Sequence, residues 1–207
     1  MINTKQLRFA IGVLGMLLPW IVLILSCAYG YGIPDSISQT YYLEPCITPF
    51  MMVLGMAGLA LLCYKGYDKQ DNIVCTIAGI FGWSICIFPC VASVLLDANG
   101  LVGTFQIPQN ISGWIHNISA VVFFGLLAYN SLFLFTKSSG EMTENKKKRN
   151  VIFRVCGIGM IASFPMLLLP IPHIIWIVET IALTFFGISW LTKADCFPWL
   201  FADKKGV

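Results

Sequence analysis

The stretch IHNISAVVFFGLLAYNSLFLFTKSSGEMTENKKKRNVIFRVCGIGMIASFPMLLLP, residues 115–170, decides the fold. It holds two apolar runs, about 115–136 and 151–170, joined by a polar connector from Lys137 to Asn150. A helix rises about 1.5 Å per residue, so about 20 apolar residues cross a hydrocarbon core of roughly 30 Å. The connector carries the basic run KKKR at 146–149. Two spanning runs on either side of a Lys/Arg-rich connector read as a membrane hairpin whose connector stays on the cytoplasmic side.

Four further apolar stretches flank this hairpin, at about 9–32, 47–64, 73–96 and 173–192. The segments between the six spans alternate in charge. Lys5 and Arg8 precede the first span, Lys65 and Lys69 follow the second, and Lys137, Lys146, Lys147, Lys148 and Arg149 follow the fourth. Arg154 lies just inside the fifth span, and Lys193, Lys204 and Lys205 follow the sixth. The first, third and fifth loops hold none of the 13 Lys and Arg residues. The expected architecture is therefore an all-α, polytopic bundle of six membrane helices, with both termini cytoplasmic, forming a single integral membrane domain over 1–207. In a bacterial host the expected location is the plasma (inner) membrane.

Composition excludes other classes. The chain is 57% hydrophobic and only 11% charged, with mean hydropathy +0.80, whereas soluble domains carry about 25% charged residues. The net charge of +3 follows from the topology signal, and no aromatic-interleaved basic face points to nucleic acid. The run from Phe9 to Gly32 exceeds a signal-peptide core and is read as a retained helix. The eight Cys read as small apolar residues in helix contacts. Cys27, Cys46 and Cys90 lie nearer the outer face, where a bridge between two of them is open.

Small residues recur three or four apart, as at Gly12 and Gly15, Gly55 and Gly58, and Gly159 with Ser163, a pattern that lets helices approach closely in lipid. Pro89 and Pro165 are expected as kinks in the third and fifth helices. Trp114 and Trp176 are expected in the outer headgroup zone, Trp190 and Trp199 in the inner one. The first and third loops, about 33–46 and 97–114, are long enough to cap the outer end, and helices five and six form a tight outer hairpin around Pro170, Pro172 and His173.

Glu179 lies about six residues inside the sixth span, roughly 9 Å deep. A carboxylate there faces the bundle interior or a wet cavity rather than lipid, as a ligand anchor or as a structural hydrogen-bond partner. His116 opens the fourth helix and His173 the sixth. Together with Asp35 and Glu44 of the first loop they form a candidate divalent-metal set, or else ordinary wetted interfacial residues. Asn130 and Tyr129 sit deeper and are expected to bond across helices. P-loop, GxSxG and HExxH motifs are absent.

The segments SISQTYY (36–42), YKGYD (64–68), IHNISAVVFFGLLAYNSLFLF (115–135), KKKRN (146–150) and ETIALTFFGISWLTKAD (179–195) carry a resemblance over nearly the whole chain. It resembles a family of uncharacterised bacterial six-span membrane proteins. More distantly it is similar to the DRAM/Sfk membrane-protein family, which shares a Ser-rich outer first loop and a His opening the fourth helix. The resemblance implies a role in membrane-lipid homeostasis, lipid-anchor processing or autophagy control. It supplies no catalytic residues. Ser36, Ser38, Tyr41, Tyr42, His116 and Glu179 match its recurrent polar positions, whereas Leu43-Glu44-Pro45 replaces a more polar stretch with a His and an Arg-Asp pair. The chain is also similar in size to the ceramidase/adiponectin-receptor group, but its two His cannot reproduce that group's three-His zinc set.

The leading expectation is a non-enzymatic protein, without cofactor, that binds a lipid or amphiphile in a polar cavity near the outer leaflet. Glu179, His116, Ser36, Ser38, Tyr41 and Tyr42 would meet the headgroup. The partners expected are membrane lipids, with a second copy or another membrane protein in addition. The alternatives are a metal-dependent lipid hydrolase using His116, His173, Asp35 and Glu44, and a small transporter.

Overall fold

The structure is a computed structural model that describes residues 4–66, 68–92, 100–138 and 142–197. Six helices are long and apolar enough to cross a membrane, which makes the chain an integral, multi-pass membrane protein. They are α1 (Thr4–Ala28), α2 (Glu44–Leu62), α3 (Lys69–Ile87), α4 (Gln109–Tyr129), α5 (Glu144–Ser163) and α6 (Ile174–Lys193). Each helix packs on the next in sequence, and α6 closes on α1, so the bundle is a ring. Between 28% and 44% of each spanning window is buried, so most of every helix surface points outward. Ile24, Ile118, Val121 and Ile158 stand on that outer face, where lipid would replace water.

Helix ends differ from those expected of hydropathy because caps and turns, not apolar content, set them. The first helix stops at Ala28 rather than Gly32. Tyr31 N–H donates to the Ser26 carbonyl at 2.9 Å, and Gly30 takes φ +81°, the left-handed C-terminal turn that glycine adopts most cheaply. The third helix starts at Lys69 rather than near 73, because the Asp68 carboxylate accepts the Asp71 N–H at 2.9 Å. It stops at Ile87, and Pro89 lies past its end instead of kinking it. Phe88 is extended at φ −110°, ψ 92°, as a residue before proline tends to be. Residues 93–96, assigned to this span from sequence, lie outside the described residues, as do Trp199, Lys204 and Lys205.

Helix α4 begins at Gln109, several residues before the expected 115, and continues as a π-helical turn over Asn130–Leu134. The third loop also holds a two-stranded antiparallel hairpin, β1 (Leu101–Val102) with β2 (Ile107–Pro108), too short to show as a pattern in sequence. Helix α5 begins at Glu144, capped by Thr143, whose side chain accepts the Lys146 N–H. The basic run is thus helical rather than a connector. Past Ser163 the chain tightens into a 3-10 turn, Phe164–Leu168, with Pro165 in its first positions, where no N–H is missed.

At the basic end, α1 starts beside the end of α6, and the Arg8 Nη1 donates to the Lys193 carbonyl at 3.4 Å. Trp190, expected in the inner headgroup belt, is instead fully buried. Its ring meets Tyr64 at 5.2 Å and Phe135 at 5.1 Å, and Phe135 meets Phe153 at 5.4 Å. This aromatic plug seals the inner end, with edge contacts of the kind aromatic rings prefer. Asn130, as expected, bonds across helices, accepting from Cys75 Sγ at 3.8 Å, and Gln70 donates to the Tyr129 hydroxyl at 2.6 Å.

Lys137 ties the start of α3 to the end of the π turn, pairing with Asp68 at 2.7 Å and Asp71 at 3.3 Å. The Lys137 hydrogen bond holds the Asp68 carboxyl below its usual range, and Asp68 lifts Lys137 above the usual ammonium value. The tie is therefore present at neutral pH. It is lost as pH falls through the lowered Asp68 value, or rises through the raised Lys137 value.

The α1–α6 seam is a close backbone-to-backbone contact. A Cβ added at Gly187 would meet the Gly12 carbonyl oxygen at 2.8 Å as well as the Met16 side chain, whereas one added at Gly55 has open space around it. Gly187→Val is expected to cost about 1–3 kcal/mol through overpacking and to lower the melting temperature in detergent by several degrees. Gly55→Ala is expected to leave that temperature unchanged or slightly raised. Equal effects of the two substitutions would show that the seam is not the tight contact.

Candidate functional site

The first outer loop folds back over the ring because α1 ends in its glycine turn and Ser38–Tyr42 forms a 3-10 turn. Within the turn Ser36 takes the Gln39 N–H and the Ile37 carbonyl takes the Thr40 N–H, while the Ile37 N–H needs an acceptor from outside it. Glu179 on α6 supplies it. Its Oε2 accepts the Ile37 N–H at 2.5 Å and its Oε1 the Ser38 hydroxyl at 3.4 Å.

The Ser38 oxygen also lies 3.1 Å from His116 Nε2, and His116 Nδ1 lies 2.8 Å from the Phe88 carbonyl. Since a carbonyl only accepts, Nδ1 carries the proton there, and Nε2 is an acceptor that shares the single Ser38 hydroxyl proton with Glu179 Oε1. Ser36 accepts the Gln39 N–H at 3.0 Å, and Tyr42 donates to the Cys90 carbonyl at 2.5 Å. Tyr41 stacks edgewise on Tyr42 at 5.2 Å. Burial raises both tyrosine hydroxyls above their ordinary value, so both are neutral, and Tyr42 is the one that donates. The Cys90 thiol is pushed up to about 12 by burial, with the Glu179 charge adding.

Glu179, His116, Ser36, Ser38, Tyr41 and Tyr42 are thus brought to one end of the ring. They bond chiefly to one another and to backbone, as a latch holding the first loop against α4, α6 and the chain after α3. His116 does not open its helix, since α4 starts seven residues earlier. Its buried position follows from those two preceding turns, about 3.6 residues each. Beside the latch lies a crevice of about 40 Å³, walled by Leu18, Phe50, Leu54, Phe123, Phe124 and Leu183, with Glu179 and Ser38 as its polar lining.

The other metal candidates, His173, Asp35 and Glu44, do not join His116 in this group. His173 caps α6 in the left-handed region at φ 56° and faces Asp35 at 3.4 Å. Glu44 is exposed at the start of α2, where its charge complements the helix N-terminus. Among the described residues no three His, Cys, Asp or Glu lie together as a metal set. Cys27, Cys46 and Cys90 are free thiols.

Sequence reasoning missed Gln39, whose side chain donates to the Val91 carbonyl at 2.5 Å, and Ser112, which donates to the Pro89 carbonyl at 2.7 Å. Both satisfy carbonyls that the early end of α3 releases. Pro89 itself was the available signal, since proline ends the helical ladder. No family model matches the chain, and no curated protein or solved structure matches it.

Removing the carboxylate leaves the Ile37 N–H without its acceptor and Ser38 with His116 alone, a loss of about 1–3 kcal/mol. Glu179→Ala is expected to speed hydrogen exchange over residues 36–43 and to lower stability. Glu179→Gln keeps one acceptor oxygen and is expected to retain most of the protection. Unchanged exchange in Glu179→Ala would show that the loop is held by other contacts.

Proposed function

We propose that this integral membrane protein is non-enzymatic and binds an amphiphile at its outer end, in support of membrane-lipid homeostasis. The observation that carries the reading is the position of Glu179. A carboxylate on a membrane helix lines an apolar crevice and holds the first loop beside it. Intramembrane carboxylates cost several kcal/mol and are kept mainly where they face a cavity or a partner. With the latch closed, about 40 Å³ admits one or two water-sized groups. Binding therefore requires the first loop to lift. The headgroup then replaces the Ile37 N–H and the Ser38 hydroxyl as the donor to Glu179 and His116, and an apolar chain lies along Phe50, Leu54, Phe123 and Leu183.

Membrane lipids are the partners this reading requires. The resemblance to the DRAM/Sfk family, itself a proposal, supports it through the lipid-linked roles of that family.

The test is native mass spectrometry of the detergent-purified protein offered a mixture of diacylglycerol and a long-chain alkylamine, amphiphiles without phosphate. Ala120 also lines the crevice, so Ala120→Leu fills it without touching the latch. Ala120→Leu and Glu179→Gln are each expected to reduce adduct occupancy by about tenfold, roughly 1.4 kcal/mol, at little cost in melting temperature. Unchanged occupancy in both, with a lower melting temperature in Glu179→Gln, would leave Glu179 a purely structural clamp.

A further inference from the structure

The larger cavity lies at the opposite, basic end. It measures about 450 Å³, within the range of small-ligand sites, about 300–1,000 Å³. Arg8, Lys137, Lys146, Arg149 and Lys193 line it, against Asp68 and Asp195. Topology signalling explains why basic residues lie on this side. It does not require five of them, from four separate segments, to surround one cavity, nor a lysine only 8% exposed, as Lys193 is.

The basic run shows the selection. Lys146 and Arg149, three apart and so on one helix face, line the cavity, while Lys147 and Lys148 point outward and are exposed. Phe153, one turn further along that face, forms part of the wall, and the Lys146 and Lys193 ammonium groups lie 5.7 Å and 5.9 Å from its ring centre. The start of α5, a positive helix end, opens at the same place with Thr143. Two acids hold the rim, Asp195 on Arg149 at 2.5 Å and Asp68 on Lys137 at 2.7 Å. The Arg8 Nε is buried, with no hydrogen-bond acceptor among the described residues. Like charges held this close oppose one another, and an anion among them relieves that cost through charge-assisted hydrogen bonds.

We propose that this inner cavity is a binding site for a phosphate-bearing anion, held by Arg8, Lys146 and Lys193 with the α5 N-terminus. The phosphate can come from a soluble phosphate ester or from the headgroup of an inner-leaflet lipid. The site stands apart from the outer crevice and does not depend on it.

The experiment uses the full-length protein in phosphatidylcholine nanodiscs, titrated with inorganic pyrophosphate and followed by thermal shift and calorimetry. A parallel set of discs contains phosphatidylglycerol. Saturable stabilisation by pyrophosphate in neutral discs assigns the site to a soluble phosphate. Stabilisation by phosphatidylglycerol alone assigns it to a lipid headgroup. In either case Arg8→Gln and Lys146→Gln are each expected to weaken the response about tenfold, while Lys147→Gln and Lys148→Gln leave it unchanged. Lys146 is half-buried, so its variant keeps the test readable if Arg8→Gln impairs folding. The proposal is overturned if neither probe stabilises the protein, if sodium chloride at matched ionic strength does so equally, or if the exposed lysines matter as much as Lys146.

Discussion

The approach of α1 to α6 at Gly12 and Gly187 closes the ring, and both cavities are assembled on the helix pair it joins. In lipid there is no hydrophobic gain from bringing two apolar helices together, so close packing and hydrogen bonding must hold them. Small residues allow that packing here. A few ångströms more separation would move Arg8 away from the Lys193 carbonyl at one end. At the other end it would move Ile37, in the loop that follows α1, away from Glu179 on α6.

The two ends solve the same physical problem differently. At the outer end the chain leaves helical geometry at Ala28 and Ile87, freeing backbone groups that lipid cannot satisfy. Side chains take them up: Glu179 the Ile37 N–H, His116 the Phe88 carbonyl, Ser112 the Pro89 carbonyl and Tyr42 the Cys90 carbonyl. The outcome is a closed, nearly neutral latch beside a small apolar crevice. At the inner end the aromatic plug around Trp190 seals the bundle. The charges are displaced above it, where they surround an open cavity rather than satisfying one another fully.

This contrast also separates the kinds of ligand each end can take. The outer crevice offers apolar walls with one carboxylate and one imidazole, chemistry suited to an uncharged or cationic headgroup on an alkyl chain. The inner cavity offers guanidinium and ammonium groups against an aromatic wall, chemistry suited to an anion. An amphiphile with a phosphate would be matched to the inner end and mismatched at the outer one.

The six spans and their common basic side were legible in the sequence because both depend on composition summed over about 20 residues, which needs no knowledge of neighbours. Glu179, Ser38 and His116 could be named for a related reason, since polar groups among apolar ones stand out wherever they point. Helix ends were less legible: Asp68 and Thr143 begin helices by capping, and capped charged turns look like loops to a hydropathy reading. Grouping was not legible at all. Whether His173 joins Glu179 or faces Asp35, whether Trp190 lies in the headgroups or in the core, and which of four consecutive basic residues turn inward depend on helix rotation and ring closure. Those are properties of contacts between segments far apart in the chain, and only the tertiary structure decides them.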